Sequence, residues 1–152
     1  MRTLVWLADD TWEACVDAAR EQGGEITLLY VVDSDTMAAL SGRAGLLGRN
    51  WPGSPARGGP PAAGDPPEPG GELLAEAAES VLTAAERRLD RQCRRVTRWG
   101  RPEREVVAAC ADADLLVLAR DGDRLALGPR SLGHATRFVV DHAPCSVLLV
   151  WP

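Results

Sequence analysis

Thr3-Leu4-Val5-Trp6-Leu7-Ala8, followed at once by Asp9 and Asp10, is the stretch on which the fold turns. An unbroken apolar run of this length, without polar alternation, reads as a strand covered on both faces, as in a parallel sheet. Asp10-x-x-Glu13 resembles a capping box that opens a helix. Trp12, Val16 and Ala19, with Cys15 beside them, supply the apolar stripe of that helix, and Gly23-Gly24 ends it. Ile26 to Val32 is a second buried strand. The first thirty-odd residues therefore form one β-α-β unit, which requires a parallel sheet with helices on its faces.

Beyond Val32 the pattern breaks. Residues 34–71 hold nine Gly and seven Pro in 38 positions, far above the ~12% of average usage. Such punctuation marks a long surface insertion, either a functional lid or a plain flexible segment. Within it, Met37-Ala38-Ala39-Leu40 and Leu46-Leu47 suit a short helical turn, and Trp51 is a candidate cover for a crevice.

Regular structure resumes with a helix from Glu72 to Gln92, striped by Leu74, Ala78, Val81, Ala85 and Leu89. Arg94-Arg95-Val96-Thr97-Arg98-Trp99 follows as a strand whose arginines suit a protected sheet edge. The acids Glu86, Asp90, Glu103 and Glu105 turn the Arg-rich stretch 87–104 into a solvated face rather than a basic patch. Pro102 opens a helix with Val106, Val107 and Cys110 inward. Leu115 to Ala119 is a buried strand. A Gly-containing loop then leads to a helix from Ser131 to Asp141, and Ser146 to Trp151 is the last strand. Five strands and four helices in this order, with right-handed crossovers, make a doubly wound α/β sandwich. Residues 1–152 are expected to form a single domain carrying the 34–71 insertion.

Composition narrows the function. The 152 residues carry 17 basic and 22 acidic side chains, a formal charge of −5. That surface repels nucleic acid and anionic lipid, so neither is expected as a partner. All the basic residues are Arg, which excludes a Schiff-base or P-loop lysine. Cys15, Cys93, Cys110 and Cys145 form no C-x-x-C pair, and no apolar run approaches the ~20 residues of a membrane span. The expectation is a soluble cytoplasmic protein with reduced thiols. There is no G-x-S-x-G elbow, no G-x-x-x-x-G-K-[ST] loop and no G-x-G-x-x-G after the first strand. With histidines only at positions 134 and 142, no base faces an evident nucleophile, so an enzyme is not expected.

In an open parallel sheet, ligands sit beyond the carboxyl ends of the strands where the strand order reverses. One flank of that crevice is Ala8-Asp9-Asp10. The other runs from Ala119-Arg120-Asp121-Gly122 to Gly133-His134-Ala135. Glycines here let backbone N–H groups approach a phosphate at the start of the following helix. His142 and Cys145 share an H-x-x-C spacing, but two ligands do not make a zinc site, so no metal is expected. Trp6, Trp12, Trp99 and Trp151 are assigned to core or interface packing.

Val96-Thr97-Arg98-Trp99-Gly100-Arg101-Pro102 and Ala113-Asp114-Leu115-Leu116-Val117-Leu118 resemble the second half of a universal stress protein domain. The closing stretch from Arg137 through His142-Ala143-Pro144-Cys145 to Val150 fits as well. So do the opening strand and Leu28-Leu29-Tyr30-Val31-Val32-Asp33. The resemblance covers the chain outside 34–71. It implies an adenine-nucleotide alpha-hydrolase-like sheet in the order 3-2-1-4-5. It also implies a nucleotide site in some members, marked by G-x2-G-x9-G-[ST] after the fourth strand and an Asp ending the first. Here Ala119 stands in place of the first Gly, while Gly122 matches the second. Gly133 follows after ten residues rather than nine, and His134 replaces the Ser or Thr. Ala8 holds the Asp position unless Asp9 substitutes by a one-residue shift. The same resemblance puts Val32 and Ala135 beside the site.

Asp9, Asp10, Asp121 and Asp123 crowd this crevice against Arg120, Arg124 and Arg130. Each carboxylate near a triphosphate costs ~1 kcal/mol or more. The expected function is a non-enzymatic stress-response or regulatory module with its nucleotide site altered or lost and no cofactor. The alternative is an ATP-binding stress sensor that uses loop 119–135, with Mg²⁺ bridging acids to phosphates. The apolar last strand is an exposed edge, and in the family that edge pairs with its copy. The expected partner is therefore a second chain, joined through Ser146 to Trp151, together with an unidentified protein.

Overall fold

The computed structural model describes residues 1–8, 10–36, 71–123 and 129–152. Its five strands are β1 (Arg2–Leu7), β2 (Glu25–Asp33), β3 (Arg94–Gly100), β4 (Leu115–Ala119) and β5 (Ser146–Val150). Among the described residues four longer helices connect them: α1 (Trp12–Arg20), α2 (Gly71–Leu89), α3 (Pro102–Ala109) and α4 (His134–His142). All strand pairs are parallel, and the sheet order is β3-β2-β1-β4-β5. The order reverses beside β1, as the sequence and its resemblance imply.

Alternation along each strand divides the core in two. Val5, Leu7, Ile26, Leu28, Val117 and Ala119 face α1 and α2, where they meet Cys15, Val16, Ala19, Leu82, Ala85 and Leu89. Leu4, Trp6, Leu29, Val31, Leu116 and Leu118 face α3 and α4, against Val106, Cys110 and Val139. Continuous apolar strands are thus explained: both faces of β1, β2 and β4 are covered.

Several local expectations are corrected. Asp10 and Glu13 make no capping box. Thr11 precedes α1 without a side-chain cap, and the Ala8 carbonyl accepts from the Thr11 and Trp12 N–H groups instead. Helix α2 ends at Leu89, and Leu82, rather than Val81, is its fully buried residue in that turn. The helix expected from Ser131 is split: a 3-10 turn spans Pro129–Ser131, and α4 starts after Gly133. Ser34 to Thr36 are helical and Gly71 belongs to α2, so both ends of the 34–71 segment are more ordered than expected. The helical turns at 37–40 and 46–47, and Trp51, lie outside the described residues. Trp6 is core, while Trp99 and Trp151 are exposed in the single chain, which excludes the core and keeps the interface half of their assignment.

Strand β3 is an edge, as its arginines suggest. Arg95 reaches Glu79 and Glu86, and Arg98 reaches Glu105. At the amino ends of β1 and β4, Asp114 accepts from the Arg2 backbone N–H at 2.6 Å, while its own N–H donates to the Arg2 carbonyl. That hydrogen bond, helped by the Arg2 charge, holds the Asp114 carboxyl below its usual range. A depressed folded value stabilises the protein above the unfolded pKa and ceases to do so as pH falls through the folded one. Melting temperature is therefore expected to fall on acidification below about pH 4. In Asp114→Asn that fall should be shallower, and parallel curves for the two proteins would contradict this assignment.

Candidate functional site

The parallel strands bring the carboxyl ends of β1, β2 and β4 to one rim, at the switch in strand order. Ala8 follows β1 there, with its carbonyl occupied by the start of α1. Asp9 lies outside the described residues. Val32, beside Trp99 in the β2–β3 register, is 3% exposed, so its side chain is packed rather than open to a ligand. Ala119 ends β4, similarly buried.

The loop after β4 is built around two close approaches. Gly122 donates its N–H to the Ser131 carbonyl at 3.2 Å, and Asp123 donates to the Arg130 carbonyl at 2.8 Å. A Cβ on Gly122 would stand 2.3 Å from the Arg130 carbonyl oxygen and 2.6 Å from the Ser131 carbonyl carbon. Only glycine fits between these backbones. At Gly133 the neighbour is a side chain: a Cβ would meet the Asp121 carboxylate at 2.8 Å.

That carboxylate is the central feature of the site. Asp121 accepts from the Gly133 N–H through Oδ1 at 2.7 Å and from the Thr136 hydroxyl through Oδ2 at 2.7 Å. Gly133 immediately precedes α4, and Thr136 lies in its first turn, 2% exposed. The chain's own anion therefore sits where the partial positive charge of the helix start is strongest. One N–H directed at one carboxylate oxygen is no longer offered to an external phosphate. The bond joins residues 12 positions apart, and no local sequence pattern announces it. Thr136, which fixes the second oxygen, was not among the residues expected from sequence.

Arg120 is engaged as well. Its backbone N–H donates to the Val150 carbonyl at 2.9 Å, and its guanidinium donates to the Ser131 hydroxyl. The guanidinium also lies 5.0 Å from the centroid of the Trp151 ring, a cation–π distance. His134 and Ala135 open α4, His134 exposed and Ala135 half-buried. The structure thus brings Gly122, Gly133, Asp121 and Arg120 into one loop. Arg124 lies outside the described residues. Among the described residues no group of His, Cys, Asp or Glu is arranged to hold a metal ion. His142 instead bonds the Phe138 carbonyl through Nδ1 at 2.8 Å and stacks on the Phe138 ring.

A cavity of about 330 Å³ lies at the opposite, amino-terminal end of the sheet, away from this loop. Arg2, Arg94, Glu25 and Asp112 line it with both signs of charge. No helix among the described residues is long and apolar enough to cross a membrane.

Comparison with known proteins agrees with the geometry. The pattern of the universal stress protein family matches residues 7–150. The hypothetical protein MJ0577 has a similar structure, with a TM-score of 0.68 and 17% identity over 100% of this chain and 96% of that one. Universal stress protein UspA from Lactobacillus plantarum gives a TM-score of 0.60 and 22% identity, over 99% and 97%. A universal stress protein in complex with cAMP gives 0.61 and 15%, over 99% and 96%. At these identities the structural likeness establishes the fold. No curated protein sequence matches the chain.

Proposed function

The chain belongs to the universal stress protein family, and from that premise we propose a non-enzymatic stress-response module that acts as a homodimer and whose nucleotide site has been altered. The observation that carries this reading is the Asp121 carboxylate on the Gly133 N–H and the Thr136 hydroxyl. The family's binding members present this loop to phosphate. In this chain an anion tethered in the loop competes for the same donor, and Arg120 is turned towards Ser131 and Trp151. Both glycines retain a packing role that needs no ligand. The homodimer rests on β5, an apolar strand whose outer edge pairs with no other strand among the described residues.

Calorimetric titration with Mg²⁺-ATP, with mass spectrometry for nucleotide retained through purification, tests the reading. The expected result is no binding by the parent protein at millimolar ATP and no retained nucleotide. Asp121→Asn keeps an oxygen for the Gly133 N–H but removes the negative charge, and it should bind measurably better than the parent. Micromolar binding by the parent, abolished by Gly133→Trp, would replace this reading with the ATP sensor. Release of ADP during the titration would overturn the non-enzymatic assignment.

A further inference from the structure

Two of the four cysteines, remote in sequence, meet in the fold. Cys110 closes α3 and is 1% exposed, within the apolar cluster beneath α3 and α4. Cys145 packs against that cluster from the turn between α4 and β5 and is half-buried. Backbone bonds hold the two segments side by side. The Ala113 N–H donates to the Cys110 carbonyl at 3.1 Å, and the Ser146 N–H donates to the Asp114 carbonyl at 3.2 Å. The β4–β5 ladder begins at once with Leu115 opposite Ser146. Within this frame the two side chains share one apolar cluster, and each thiol lies within the electrostatic reach of the other.

Neither other cysteine has such a neighbour. Cys15 is buried on the opposite face of the sheet among Val16, Ala19 and Leu82. Cys93 lies just before β3 and is half-buried. All four are thiols in the structure.

We propose that Cys110 and Cys145 form a peroxide-responsive dithiol, closing into a disulfide that clasps the end of α3 to the start of β5. The half-exposed Cys145 reacts first. Its thiolate sulfur attacks one peroxide oxygen, the O–O bond breaks, and the departing hydroxide takes up a proton to leave as water. The Cys145 sulfur is then a sulfenic acid, an electrophile. The Cys110 sulfur attacks it, the S–O bond breaks, and the thiol proton leaves with the hydroxyl group as a second water. Two electrons pass from the thiol pair to hydrogen peroxide, and two thiols plus peroxide become one disulfide and two waters.

Burial assigns the order. Desolvation, with Cys145 beside it, pushes the Cys110 thiol up to about 12, so it is the protonated resolving partner and not the thiol that meets peroxide first. Cys15, likewise pushed up to about 12 by burial, has no cysteine to resolve it. The pair stands independently of what the loop between Gly122 and Gly133 binds.

The test is to treat the 152-residue chain with equimolar hydrogen peroxide, block free thiols with N-ethylmaleimide in denaturant, and map peptides by mass. The expected product lacks two hydrogens, joins the Cys110 and Cys145 peptides, and carries the blocking group on Cys15 and Cys93 alone. Dithiothreitol should restore four blocked cysteines. Cys110→Ser should leave Cys145 as a sulfenic acid trapped by dimedone, with no crosslink. Mapping of the unaltered protein does not depend on how that variant folds. Linkage through Cys15 or Cys93, or Cys145 advancing to a sulfinic acid while Cys110 stays free, would overturn the proposal.

Discussion

Gly122→Ala is expected to cost about 2–4 kcal/mol, from a steric clash together with the hydrogen bonds lost in relieving it. For a chain of this size that is a fall in Tm of roughly 5–15 °C. The reason is the identity of the obstructing atoms. The new Cβ would lie 2.3 Å from the Arg130 carbonyl oxygen, 2.6 Å from the Ser131 carbonyl carbon and 2.8 Å from the Leu132 nitrogen. All three are backbone, so no rotamer change relieves the contact. The two sides of the loop must separate, breaking the bonds from the Gly122 and Asp123 N–H groups and displacing Asp121 from the start of α4. Gly133→Ala meets a side chain rather than backbone, the Asp121 carboxylate, which can turn aside at the expense of its bonds to Gly133 and Thr136, and Gly23→Ala meets nothing within 4 Å. Thermal melts should therefore rank Gly122→Ala well below Gly133→Ala, with Gly23→Ala at or near the parent. A Gly122→Ala protein melting with the parent would show that the loop does not pack this way. It would also return the glycine to the role of a phosphate contact.

The contrast between those glycines shows where sequence reading reaches and where it stops. Thr3 to Ala8 and Leu115 to Ala119 announce themselves as strands because covering both faces demands apolar residues at every position. Their alternation between two cores is then automatic. The break at Gly133 is harder to read, since Ser131 to Asp141 is compatible with one helix in isolation. What shortens it is Asp121, which seats on the Gly133 N–H from across the loop. Leu82 in place of Val81 is a similar case, because a helix stripe fixes which face is apolar and the sheet fixes which residue is deepest. The rim where the strand order reverses was legible in the sequence as a position. Its electrostatic state was not, because carboxylates near a helix start can repel a ligand or occupy its place. The bonds of Asp121 support the second.

The sheet edge at β5 carries the remaining large effect. Within a strand, a residue's N–H and carbonyl point to the same side, and the side alternates along the chain. The Ser146 N–H and the Val150 carbonyl both bond towards β4. The backbone groups of Val147 and Leu149 must then face outwards, across an edge whose apolar residues are all only partly buried. Uncharged, free of proline and unpaired among the described residues, such an edge is suited to pairing with its own copy. Leu149→Pro removes one outward donor and leaves the bonds towards β4 intact, a substitution that edge strands tolerate. Light scattering is expected to give the mass of two 16.2 kDa chains for the parent and of one for Leu149→Pro. The parent's Tm should rise with protein concentration, as mass action requires of a dimer, while that of the variant should not. A parent that stays monomeric in concentrated solution would dispose of the dimer. A variant that remains dimeric with its circular dichroism unchanged would move the interface away from β5. In either case residues 146–151 would need another cover to explain why so apolar an edge persists in water.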